Sequence, residues 1–181
     1  SNGIRQWATY YGKAIGSHQE QSCDVDALGN VYLSGATNSN AGIAFNGFQN
    51  SLSGSYDAFL VKFNSDGGRI WGTYYGGPDG EGRSFCKVDP SGNVYLAGGT
   101  SSPAGIASGG FRNTMIGIND SYLVKFNSSG SRLWATYYGG EGDEELNTCE
   151  TDASGNIYLA GSTSSTTDIA SGGVKNTYAG G

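Results

Sequence analysis

Apolar positions in this chain fall in short runs bounded by clusters of Gly, Ser, Asn and Asp, and no window repeats them with a helical period. Phe85 to Asp89 leads through Pro90-Ser91-Gly92-Asn93, a turn-forming cluster, into Val94 to Gly98, which predicts a tight hairpin. After a long connection, Ser121 to Phe126, the turn Asn127 to Gly130 and the alternating stretch Arg132 to Tyr138 predict a second hairpin. The pattern therefore predicts an all-β chain.

These hairpins belong to a repeat. Trp7-Ala-Thr-Tyr-Tyr-Gly12 returns as Trp71-Gly-Thr-Tyr-Tyr-Gly76 and as Trp134-Ala-Thr-Tyr-Tyr-Gly139, while Cys23 to Gly35 is echoed from Cys86 and from Cys149. The cysteines lie 63 positions apart. The first interval between tryptophans is 64, and the extra residue falls between Tyr11 and Cys23, which predicts a loop there, because inside a strand it would turn every later side chain to the other face. One repeat region covers 1–181, with units of approximately 1–64, 65–127 and 128–181. A four-stranded unit with aromatics on both faces cannot cover itself and must stack on its copies. Four-stranded antiparallel β-propeller blades do this radially; a parallel β-helix competes, but its coils are shorter and lack two hairpins per repeat. Nearly three blades are expected, incomplete at both ends, with a Trp-Ala-Thr-Tyr-Tyr strand at the start and no third Leu-Val-Lys-Phe strand before Gly181.

The motifs Asp-x-x-Gly-Asn-Val/Ile-Tyr-Leu-x-Gly-x-Thr, Asp57-Ala-Phe-Leu-Val-Lys-Phe-Asn64 and Trp-x-Thr-Tyr-Tyr-Gly together resemble the SBBP (seven-bladed β-propeller) repeat family of bacteria. The resemblance spans essentially the whole chain. It departs at Lys13, where the later copies carry Gly77 and Gly140, and at Val174, where they carry Phe48 and Phe111. It implies a large exported or cell-surface bacterial protein, and it carries over no common catalytic residue.

Composition narrows the partners. With 10 Lys and Arg against 16 Asp and Glu the net charge is −6 and no basic cluster occurs, which argues against nucleic acid and against anionic membrane surfaces. No apolar run has transmembrane length. The 32 glycines and 12 tyrosines suit short strands and tight turns. Cys23, Cys86 and Cys149 occupy one position on successive units, so they read as small buried hydrophobes and not as disulfide partners.

Candidate chemistry is sparse. Trp7, Trp71 and Trp134 read as interblade core, with a carbohydrate-stacking platform as the alternative. Asp26, Asp89 and Asp152 precede hairpin turns, where a carboxylate accepts backbone N–H groups. Recurrent Ile and Phe in Gly42 to Phe48 and Gly105 to Phe111 predict loops that tuck apolar side chains inward, leaving the variable tips, with Tyr56, Met115 and Asn119, for ligand contacts. Acids gather at Asp79 and Glu81 and from Glu141 to Glu145; a solvated loop explains them, and no cofactor is expected, with calcium held by Asp143 and Glu144 as the alternative. No nucleophile elbow, zinc helix or phosphate loop occurs, and His18 has no assignable catalytic partners. The expected function is a non-enzymatic adhesive, binding or spacer scaffold that reaches a protein or glycan surface ligand. Self-association or a larger parent propeller would close the ring. A lectin-like propeller and a non-catalytic part of a larger propeller enzyme are the rival readings.

Overall fold

The computed structural model describes residues 2–12 and 16–180. Ten strands are formed: β1 (His18–Val25), β2 (Val31–Thr37), β3 (Asp57–Phe63), β4 (Arg69–Tyr75), β5 (Glu81–Val88), β6 (Val94–Thr100), β7 (Asp120–Phe126), β8 (Arg132–Tyr138), β9 (Glu144–Thr151) and β10 (Ile157–Thr163). They build three antiparallel sheets: sheet I in the order β1-β2-β3-β4, sheet II in the order β5-β6-β7-β8, and sheet III from β9 and β10. The described residues contain no helix, and none of the sheets closes into a barrel. Trp7 to Tyr11, expected as a strand, pairs with no strand among the described residues.

The hairpins follow from local chemistry. In the β1–β2 turn Asp26 N donates to Asn30 O and Gly29 N to Asp26 O, which places Gly29 at φ +79°, a conformation that costs a residue without Cβ little. Turns two and three repeat this with Gly92 and Gly155. In sheets I and II the connection between the second and third strand returns along the outer edge of the fourth: Phe45 bridges Gly72 and Ser108 bridges Ala135, which covers edges otherwise open to pairing.

Strand alternation divides each sheet into two faces. Tyr32, Ala58, Leu60 and Tyr75 of sheet I pack against Cys86, Leu96, Tyr122 and Phe126 of sheet II. Phe59, Val61 and Phe63 point the other way and are covered by Trp7 and Tyr11. Tyr95 and Leu123 of sheet II meet Leu146 and Cys149 of sheet III. Every residue of β3 is therefore buried. The sheets fan out: β1 lies against β5 and β5 against β9, whereas β4 makes no comparable contact with β8.

Two hydrogen bonds mark the junction between sheets I and II. Trp71 Nε1 donates to Ser128 O at 3.1 Å, and its ring lies on Gly130, where a Cβ would come within 2.9 Å of it. Tyr75 OH donates to Ile106 O at 2.5 Å. Trp7 repeats the first contact on Ser65 O and Gly67, and Tyr11 the second on Ile43 O, so the N-terminal segment covers sheet I as a fourth strand of another sheet would. Tyr138 OH bonds Ile169 O in the same way.

Two expectations need correction. Ile43 and Ile106 are fully buried, but Phe48 and Phe111 are exposed, Phe111 by 82%. Cys86 and Cys149 are buried between sheets, whereas Cys23 is exposed, since no sheet lies on its side of β1.

The contrast between Trp71 and Trp7 is measurable. Trp71 is buried and bonded, so Trp71→Ala should lower unfolding free energy by about 3–5 kcal/mol in urea titrations, and Trp7→Ala, on a half-buried ring, by less than half of that. For the thiols, burial pushes Cys86 and Cys149 up to about 12, so a thiol reagent near pH 8 should label Cys23 alone in the native protein and all three after denaturation.

Candidate functional site

The three first-hairpin turns converge on one end of the fan and enclose an open cup of about 660 Å³. Val25, Leu28, Val88 and Pro90 give it an apolar lining, and Lys62 and Asp152 place charge at its wall. Leu28 stands 83% exposed. The volume is in the range of small-molecule sites.

Each turn presents the same carboxylate cradle. Asp26 accepts the backbone N–H of Leu28 and Asn30 on Oδ1 and the Asn30 side chain on Oδ2 at 2.7 Å. Asp89 is held by Ser91, Asn93 and the Asn93 side chain, and Asp152 by Ser154, Asn156 and the Asn156 side chain. A lysine from the third strand completes two cradles: Lys62 Nζ lies 3.8 Å from Asp26 over the Tyr32 ring, and Lys125 Nζ lies 3.2 Å from Asp89 over the Tyr95 ring. Burial resists ionisation of Asp26 and Asp89, yet the asparagine, backbone and lysine contacts outweigh it and hold both carboxyls below the usual range. Lys62 also reaches across to Ser128 O, tying sheet I to the wall of the cup.

The residues singled out for ligand contact sit elsewhere. Tyr56 and Asn119 end the long loops, where Tyr56 O accepts Glu81 N and Asn119 O accepts Glu144 N, so both are staples between successive sheets. Asn119 Nδ2 also donates to Asp143. Met115 is half-buried against the core between sheets I and II. Asp143 is exposed, and Glu144 is buried with its oxygens taken by Thr163, Ser165 and Gly140 N. Among the described residues no group of three or more His, Cys, Asp or Glu side chains is placed to hold a metal.

A feature that motif reading missed lies between the sheets. Asp57 and Glu81 are 0% and 2% exposed and face each other across Gly76, where an added Cβ would come within 2.6 Å and 2.2 Å of their oxygens. Asp57 accepts Gln49 Nε2, Ser53 N and Gly54 N; Glu81 accepts Thr100 Oγ1 and Gly77 N. Asp120 and Glu144 form the same pair across Gly139, but there Arg112 stands in place of Gln49 and donates to Gly139 O. In β1 His18 takes the position of Glu81, and its ring nitrogens are enclosed without a hydrogen-bond partner among the described residues. The 63-residue spacing of Asp57 to Asp120 and of Glu81 to Glu144 was the available signal.

No protein-family model matches this chain, and no curated protein is similar to it.

The first pair makes stability depend on pH. Burial pushes Glu81 up to about 7 and Asp57 adds to the rise, against hydrogen bonds from Ser102 and Thr100. The folded chain then keeps a proton that an unfolded glutamate, near 4.5, has released. This contribution is complete below that value and is lost as pH rises through about 7, a swing on the order of 3 kcal/mol. Asp26 and Asp89 act in the opposite sense and in a lower window, since their depressed carboxyls stabilise the fold until pH falls below the usual carboxylate range. Melting curves between pH 5 and 8 should show falling stability, and Glu81→Gln should flatten the slope; an unchanged slope would contradict a proton retained by Glu81.

Proposed function

We propose that this chain is a run of β-propeller blades of the SBBP type that works without catalysis, as a binding or spacer scaffold of an exported or surface-attached bacterial protein. The observation that carries this reading is the fan of sheets. Adjacent first strands, divergent fourth strands and junctions that repeat the same tryptophan and tyrosine bonds are what a radial stack about an axis requires. In that arrangement β1, β5 and β9 line the axis and the cup is one mouth of it.

The chemistry of the cup favours contact over turnover. Its carboxylates are occupied by asparagine side chains, turn amides, in two cradles lysine and in the third the Tyr158 hydroxyl, so they serve the turns that hold them. What remains accessible is an apolar floor with a polar rim, suited to a sugar ring or a protruding loop of a surface protein.

Leu28 is the residue to change, because an exposed side chain can be replaced with little effect on stability. In glycan and surface-protein binding screens, Leu28→Asp should weaken the wild-type interaction at least tenfold while the melting temperature stays within about two degrees. Binding indifferent to Leu28→Asp would remove the cup as the site, and turnover of a glycoside, ester or peptide substrate would remove the non-enzymatic reading.

A further inference from the structure

β10 matches β2 and β6 in sequence: Val31-Tyr-Leu-Ser-Gly-Ala-Thr37, Val94-Tyr-Leu-Ala-Gly-Gly-Thr100 and Ile157-Tyr-Leu-Ala-Gly-Ser-Thr163. The two earlier strands each carry a third strand in one register, Val31 opposite Phe63 through Thr37 opposite Asp57, and Val94 opposite Phe126 through Thr100 opposite Asp120. β10 pairs with β9 alone.

Three features of this edge match a strand of the β3 and β7 type. The first is charge: Asp152 is held by the same asparagine and backbone contacts as Asp26 and Asp89, and by Tyr158 OH at 3.0 Å, yet no lysine reaches it among the described residues. The second is space. Backbone of the first strand crowds an added Cβ at Gly98 and Gly161 alike, Arg83 O and Glu145 O each at 2.3 Å, but Gly35 and Gly98 are also overlaid by Phe59 and Tyr122 at 2.9 Å, whereas the nearest atoms at Gly161 are all backbone. A groove of about 180 Å³ opens beside Gly161, lined by Tyr138, Leu146 and Leu159. The third is exposed aromatic surface. Tyr158 is 57% exposed where Tyr32 and Tyr95 are 0% and 3%, and Phe111 is exposed where Phe48 touches the ring of Phe126.

We infer that the free edge of β10 is a docking surface for one kind of partner, an extended segment of the pattern Asp-x-aromatic-Leu-Val-Lys-Phe supplied by a further repeat unit. The segment runs antiparallel to β10. Its aromatic third residue fills the groove over Gly161 beside Tyr138, its lysine lies opposite Tyr158 and reaches Asp152, and its terminal Phe packs toward Phe111. Main-chain bonds supply affinity and the alternate side chains supply selectivity. A second folded copy is not the source, because its β3 and β7 already have a neighbour on each side. The inference rests on the blade reading of the repeats, but its test uses residues other than Leu28.

A synthetic peptide with the sequence of residues 118–128 serves as the probe, titrated into the intact chain and followed by amide hydrogen exchange and by light scattering. Saturable one-to-one binding is expected, with new protection concentrated on β10. Replacing the peptide's lysine (Lys125→Ala) or its aromatic (Tyr122→Ala) should each weaken binding about tenfold, and Asp152→Asn in the protein should remove the effect of the lysine change. No saturable binding, protection on another edge, equal affinity for the variant peptides, or self-association of the chain through β10 would each overturn the inference. Such a failure would leave the cup and its ligand assay standing.

Discussion

A small β-sheet with large side chains on both faces cannot be stable by itself, and the whole architecture answers that constraint. β3 has no solvent-facing side: Phe59, Val61 and Phe63 need one cover while Ala58 and Leu60 need another. Sheet II supplies one cover and the N-terminal segment the other. Burying each large side chain contributes on the order of 2 kcal/mol, so an uncovered face of β3 would forfeit several times that amount.

Apolar burial alone would let the sheets slide. The register is set by polar contacts that tolerate little displacement: Trp71 to the carbonyl of Ser128, Tyr75 to that of Ile106, and Val88 N to Asp24 Oδ2 at 2.9 Å. Each satisfies a polar group that the junction would otherwise bury unpaired. These bonds also explain why two glycines follow the repeat, since the tryptophan ring needs a flat, side-chain-free turn at Gly67 and at Gly130.

Much of this was legible in the sequence. Strand positions, hairpin turns and the need for stacking follow from alternation, turn residues and the 63-residue period, because these are local or periodic properties. The grouping of strands into sheets was less so. Counting from Trp7 puts the tryptophan strand first, but hydrogen bonding makes Trp71 part of the fourth strand of a sheet that opens at His18. The candidate site was hardly legible at all. Leu28 and Pro90 reach one cup only because three turns 63 residues apart converge, and Asp57 meets Glu81 because a loop folds back, so neither proximity leaves a mark in adjacent residues.

Near-identical junctions have a consequence for how the chain folds. Tandem copies of nearly the same sheet offer one another wrong neighbours while they fold, and misassembly between repeats is a recurrent hazard of such chains. Here the cores of successive junctions are almost alike, so apolar packing discriminates poorly between them. The carboxylate pairs add little discrimination, because Gln49 and Arg112 belong to the same sheets as Asp57 and Asp120, while the glutamates that arrive from the next sheet, Glu81 and Glu144, are held alike by a threonine hydroxyl and a glycine N–H. The order of the sheets is then left to chain connectivity: β4 leads into β5 through Gly76 to Gly80 alone, a span too short to reach past a neighbouring sheet.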